Sequence, residues 1–245
     1  MFGKELKGSL NIGMYRIDVI SEGNGIWYKR YRGDYIEKEV LTKEVTLKLL
    51  PMYPIFYPKF LTKYLLCNLS TPIHIPPDEN IGFYILLPVD IAVYSYAKHT
   101  DKIYSILDII PPHKVYKYTL YGPLSRYGDV GGTIARYLNV DVFLSQDPIN
   151  QEVGFCISHV EVRNKLKKFV NVTKLLLDSS PLTIFYEVGS WRCCTQHIKV
   201  TITGSSTAVV EYDKEPLEPG FKVIDDVEET KMPFIIYRTD MIWGF

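Results

Sequence analysis

Apolar residues recur along this chain in short runs, many at alternate positions, and Pro, Gly, Asp or Asn closes almost every run. Residues 61–97 show the pattern best. Residues 62–69 are apolar and β-prone, and Ser70-Thr71-Pro72 interrupts them. Ile73 and Ile75 then flank His74 before Pro76-Pro77-Asp78-Glu79-Asn80, a turn no ladder can cross because each proline lacks a donor and fixes φ. A short apolar run over 81–87 ends at Pro88, and Val89, Ile91, Val93 and Tyr94 open another strand. Helices of ten or more residues do not survive this proline spacing, so the stretch predicts strands.

The rest of the chain repeats the pattern. Residues 9–20 read as one strand with partial alternation, Glu22-Gly23-Asn24-Gly25 as a hairpin turn, 26–32 as its return, and 35–40 and 45–50 as further strands. The proline-studded segment 51–58 reads as an extended edge or crossover. Strands over 103–110 and 115–120 precede a glycine-rich loop at 126–132, and 133–144 reads as strand or as a short helix followed by strand. Polar residues 145–150 mark a candidate boundary, after which short β runs continue to the end, with Ile198, Val200 and Ile202 alternating cleanly. No long amphipathic helix is visible; 162–174 is the one competitor, and Val170, Val172 and Thr173 favour strand. The expected fold is all-β with little helix, in two β-sandwich halves of immunoglobulin or fibronectin type over residues 1–146 and 147–245. One continuous sandwich is the alternative.

Composition narrows the function classes. Lys and Arg total 28 and Asp and Glu total 28, so the formal net charge is zero and a strongly electrostatic nucleic-acid binder is disfavoured. The 19 tyrosines and scarce glutamine fit a thermophile's composition. Residues 1–10 lack the apolar core of a signal peptide, and no window is apolar enough for a membrane-spanning helix, so a cytoplasmic location is expected. Cys67, Cys156, Cys193 and Cys194 form no CxxC pair, and no zinc ribbon or other metal site is indicated.

Four places could carry chemistry. In the glycine-rich loop, Arg126, Asp129, Gly131, Gly132 and Arg136 could cradle a small anion or phosphate, yet no Gly-Lys-Ser/Thr follows and the plainer role is to link two strands. On residues 27–32 aromatic and basic side chains interleave; Tyr28, Arg30 and Arg32 share one face and could stack single-stranded bases, against the plainer reading of a half-buried strand. Cys193-Cys194-x-x-His197, with His159 as a further ligand, gathers soft donors, but adjacent strand residues face opposite ways, so buried structural thiols are expected. His74, His99 and His113 sit beside proline turns and acidic residues without any hydrolase motif, as loop histidines do. Arg163 to Lys168 reads as a solvated turn.

Several short motifs together suggest a family. Met1-Phe2-Gly3, the run Ser70-Thr71-Pro72-Ile73-His74-Ile75-Pro76-Pro77, Leu87-Pro88-Val89, Lys117-Tyr118-Thr119-Leu120-Tyr121-Gly122, Ile134-Ala135-Arg136-Tyr137 and Trp243-Gly244 resemble an archaeal family, domain of unknown function 432. The resemblance implies an archaeal cytosolic protein with no assigned activity and no catalytic residues to carry over, and the residues themselves suggest no cofactor. The leading functional expectation is a non-enzymatic binding or interaction module for an unidentified protein partner that works through an edge strand or end loops, with a homo-oligomer as a further option. Small-anion binding or an enzyme site at 126–136, and single-stranded nucleic acid on 27–32, are the alternatives.

Overall fold

The computed structural model describes residues 1–43, 45–54, 61–98, 102–113, 117–121, 132–146, 151–205, 207–224 and 239–241, and among these there is no helix. The first strands are β1 (Gly8–Ile12), β2 (Tyr15–Glu22), β3 (Gly25–Arg32), β4 (Tyr35–Lys43) and β5 (Val45–Met52). They are followed by β6 (Tyr64–Ile75), β7 (Asn80–Pro88), β8 (Asp90–Ala97), β9 (Ile103–Ile110), β10 (Tyr118–Tyr121), β11 (Thr133–Val140) and β12 (Val142–Phe143). The remainder are β13 (Phe155–Asn164), β14 (Val170–Asp178), β15 (Ile184–Tyr186), β16 (Cys193–Ile202), β17 (Ala208–Pro216), β18 (Lys222–Val223) and β19 (Thr239–Met241). The all-β expectation holds.

Two strand expectations change. Residues 9–20 are not one strand but the β1–β2 hairpin, in which Leu10 pairs with Ile17. Gly13 turns the chain at φ +55° while packing against the Pro112 backbone, a conformation other residues adopt at a cost. Conversely, Ser70-Thr71-Pro72 does not end a strand. β6 runs through it, and its ladder with β14 jumps from Ile73–Val172 to Asn68–Lys174. Pro72 falls inside this interruption, where its missing N–H leaves no ladder bond unmade.

β1 to β4 form an antiparallel meander, and β5, β8 and β9 a three-stranded sheet. The third sheet has the order β10-β11-β6-β14, with β11 parallel to β6. The largest sheet runs β12-β7-β13-β16-β15-β18, with β17 and β19 joined beside β16 and with β13 parallel to β16. Both larger sheets draw strands from either side of the expected boundary near residue 146: β7 pairs with β13 over nine residue pairs, and β6 with β14.

The meander stacks on the three-stranded sheet. Tyr28 and Arg30 reach from β3 to Asp108 and the Ile109 carbonyl of β9. All eight residues of β8 are buried, so both faces of that strand are covered, which accounts for its near-continuous apolar sequence. One buried cluster links the sheets, including Phe2, Ile17, Leu49, Ile91, Leu138, Phe83, Val160 and Val200.

Candidate functional sites

The proposed base-stacking face of β3 points inward. Tyr28 is fully buried and Arg30 is 5% exposed. The Tyr28 hydroxyl donates to Asp108 Oδ2 at 2.7 Å, and Arg30 Nη1 donates to Asp108 Oδ1 at 3.2 Å and to the Ile109 carbonyl at 2.8 Å. Burial and the neighbouring Asp108 carboxylate both push the Tyr28 phenol upward, so it stays protonated. Arg32 alone of the three is exposed, 3.7 Å from Glu37. A buried guanidinium matched by a carboxylate and a carbonyl links the two sheets.

The opposite, outer face of the meander carries a different set. Ile20, Trp27 and Leu41 are cross-strand neighbours in one row, with Ile20 49% and Leu41 57% exposed. The next row is Asp18, Lys29 and Glu39, in which Lys29 Nζ lies 2.7 Å from Glu39. Beyond it the Arg16 guanidinium sits 4.2 Å over the Tyr31 ring, and Tyr31 pairs with Ile36, itself 49% exposed. The Trp27 indole donates to Glu22 at 3.0 Å.

Of the glycine-rich site, Arg126, Asp129 and Gly131 lie outside the described residues. Gly132 precedes β11 where a Cβ would stand 3.1 Å from the Leu120 side chain. Arg136 is 1% exposed, and it donates to the Tyr118 hydroxyl at 2.9 Å. Its charge faces the interior beside Asp90, the residue that opens β8 and is 4% exposed. Burial raises the Asp90 carboxyl to about 8, and the nearby Arg136 charge only partly opposes this. Asp90 and Asp108 lie on opposite faces of the three-stranded sheet, since Asp108 pairs with Val93, three residues from Asp90.

The histidines divide. His74 stacks on Phe169 with ring centroids 4.9 Å apart, and His113 contacts the Val153 carbonyl at 3.1 Å; His99 lies outside the described residues. His159 of β13 and His197 of β16 meet, with their Nδ1 atoms 3.0 Å apart. Glu161 Oε2 lies 3.7 Å from His197 Nε2, and the Tyr84 ring lies 4.6 Å from that of His159. Partial burial, then the facing His197, lowers the His159 pKa. Cys193 does not join them; its thiol donates to the Phe155 carbonyl at 3.2 Å. All four cysteines are free and buried. Burial pushes Cys67 up to about 12 and Cys194 to about 11, as expected of inert structural thiols. Among the described residues no group of three or more His, Cys, Asp and Glu is placed to hold a metal ion, and no helix is long and apolar enough to cross a membrane.

The partners of Asp90, Asp108 and Glu161 are not announced by sequence neighbours. Asp90 and Asp108 themselves had a signal: each is a lone acid inside an apolar run, PVDIAVY and ILDII. No curated protein and no solved structure matches this chain. Residues 1–239 match the family described as "Protein of unknown function (DUF432)", and the chain belongs to that family.

Proposed function

We propose that this protein is a non-enzymatic interaction module that docks a protein through the outer face of the β1–β4 sheet, and that the occupant is a second copy of the chain. The observation that carries this is the in-register apolar row Ile20–Trp27–Leu41, in which Ile20 and Leu41 are about half exposed and Trp27 partly so, on a sheet whose other face is already packed. Tyr31 with Arg16, and Ile36 beside them, extend the row. Aromatic and Arg side chains over an apolar centre are the usual anchors of protein interfaces. The same face carries Arg16 and Lys29 against Asp18, Glu22 and Glu39. A surface of mixed sign meets its own two-fold copy without net repulsion, whereas a nucleic acid would favour a basic excess.

The stacking of the meander on the β5-β8-β9 sheet supports reading the N-terminal part as a sandwich. Four free buried thiols support a reducing, cytoplasmic setting. The small-anion alternative at 126–136 rests, among described residues, on Gly132 and on Arg136, whose charge is turned inward.

Sedimentation velocity across roughly 1–100 µM, the range in which modest interfaces assemble, tests the reading. Wild type is expected to move from monomer to dimer, and Leu41→Glu or Ile20→Glu to remain monomeric with an unchanged circular dichroism spectrum. A wild type that stays monomeric throughout would overturn the proposal.

A further inference from the structure

The outer face of the largest sheet holds a second, independent feature. β13 and β16 run parallel, and their register slips between Ile157–Cys194 and Val160–Ile198, so β16 carries one residue more than β13 over this interval. The ladder from β16 to β17 is also irregular, between Gln196 and Ile198. His197 therefore sits in a strand distorted on both sides. The extra residue brings His197 level with His159 and turns both imidazoles to one face, while Gln196 turns inward to hold the Thr183 N–H and the Pro181 carbonyl. Bulges of this kind re-aim side chains, often beside functional sites.

The surroundings hold the pair in place. Gly82 of β7 lies beneath the His159 ring, and a Cβ there would stand 3.0 Å from Nε2 and 3.4 Å from Cε1. Glycine inside a strand forgoes side-chain packing, and here it permits the close approach of an imidazole. Tyr84 covers the ring from the neighbouring position, and Asn80 donates to Glu161 at 2.9 Å. His197 Nε2 is buried without a hydrogen-bond partner, 3.7 Å from Glu161 Oε2.

We infer that His159 and His197 form a two-nitrogen site for a borderline divalent transition-metal ion of the zinc, nickel or copper class. Metal–imidazole bonds of about 2.0–2.1 Å at a tetrahedral angle place two ligand nitrogens about 3.3 Å apart, and the two Nδ1 atoms already face each other at 3.0 Å. Imidazole suits these metals. In the neutral pair one Nδ1–H donates to the other Nδ1. Binding moves that proton to the same ring's Nε2, so both rings become Nε2–H tautomers, each presents an Nδ1 lone pair, and no proton leaves. The His197 Nε2–H then closes onto Glu161, which gives the orphaned nitrogen its partner in the carboxylate–histidine–metal order common around such sites. The described residues supply no third protein ligand, so solvent or an added donor would complete the coordination among them.

The test uses the untagged full chain and Zn²⁺ alone, followed by isothermal titration calorimetry and imidazole ¹⁵N NMR. One equivalent is expected to bind, with the Nδ1 resonances of His159 and His197 shifted together and both rings converted to Nε2–H tautomers. His159→Gln and His197→Gln are expected to abolish binding, Glu161→Gln to weaken it about tenfold, and His74→Gln to leave it unchanged. The NMR readout on wild type stands even if a histidine variant fails to fold. Absence of saturable uptake, equal uptake by the folded His159→Gln protein, or resonances showing coordination through Nε2 would each overturn the inference.

Discussion

Asp90 offers the sharpest test of how the interior is held. Its carboxyl is 4% exposed, and burial lifts it from 3.8 to about 8 against the pull of Arg136. The native state therefore binds one more proton than the unfolded chain between those values. Stability from this group is fully present below about 4 and is lost as pH rises through about 8, at about 1.4 kcal/mol per pH unit. At pH 7 the accumulated loss is on the order of 4 kcal/mol, a large share of a typical domain's stability. Asp90→Asn keeps the shape and fixes the neutral form. Urea unfolding of both proteins from pH 4.5 to 8.5, followed by tryptophan fluorescence and circular dichroism, isolates the group, because other titrations cancel in the difference. The variant is expected to exceed wild type by only about 1 kcal/mol near pH 4.5 and by increasingly more up to about pH 8. A variant weaker than wild type by several kcal/mol, with a gap that does not change with pH, would refute the reasoning. It would show an ionised Asp90 paired with Arg136, whose loss leaves a buried cation uncompensated.

Three further outcomes follow from neighbouring features. Asp108→Ala removes the carboxylate that accepts from both Tyr28 and Arg30 and is expected to cost about 3–5 kcal/mol in urea unfolding, against about 1 kcal/mol for Tyr28→Phe; equal losses would contradict the buried-cation account. Tyr53 has a buried hydroxyl with no hydrogen-bond partner among the described residues, so Tyr53→Phe is expected to raise the melting temperature slightly, and a clear drop would contradict an unpaired hydroxyl. Native protein is expected to leave all four thiols unalkylated by iodoacetamide over minutes, and denatured protein to label all four; rapid native labelling of Cys193 would mark it as reactive.

The β class was legible in the sequence because local chemistry sets it. The turn at Pro76–Asn80, where Asp78 adopts φ +60°, and the hairpin at Gly23 stand where their residues demand. What was not legible depends on partners distant in sequence. Nothing near Arg30 in the sequence announces its interior pairing, because its carboxylate lies 78 residues away, and Arg136 faces inward toward an aspartate that precedes it by a whole set of strands. The β11–β6 and β13–β16 pairings are parallel, and no turn joins parallel neighbours to announce them. The CCxxH motif drew attention to His197, but its meeting with His159 depends on a one-residue slip that periodicity cannot register.

The interleaving of early and late strands also bears on the chain's synthesis. β7 leaves the ribosome with one edge committed to β13, which is made some seventy residues later, and β6 likewise waits for β14. At a translation rate of about 5–20 residues per second, those apolar edges stay open for several seconds, long enough to pair with a neighbouring nascent chain. The growing polypeptide therefore carries an aggregation hazard while β6 and β7 await their partners, and the arrival of β13 and β14 ends it.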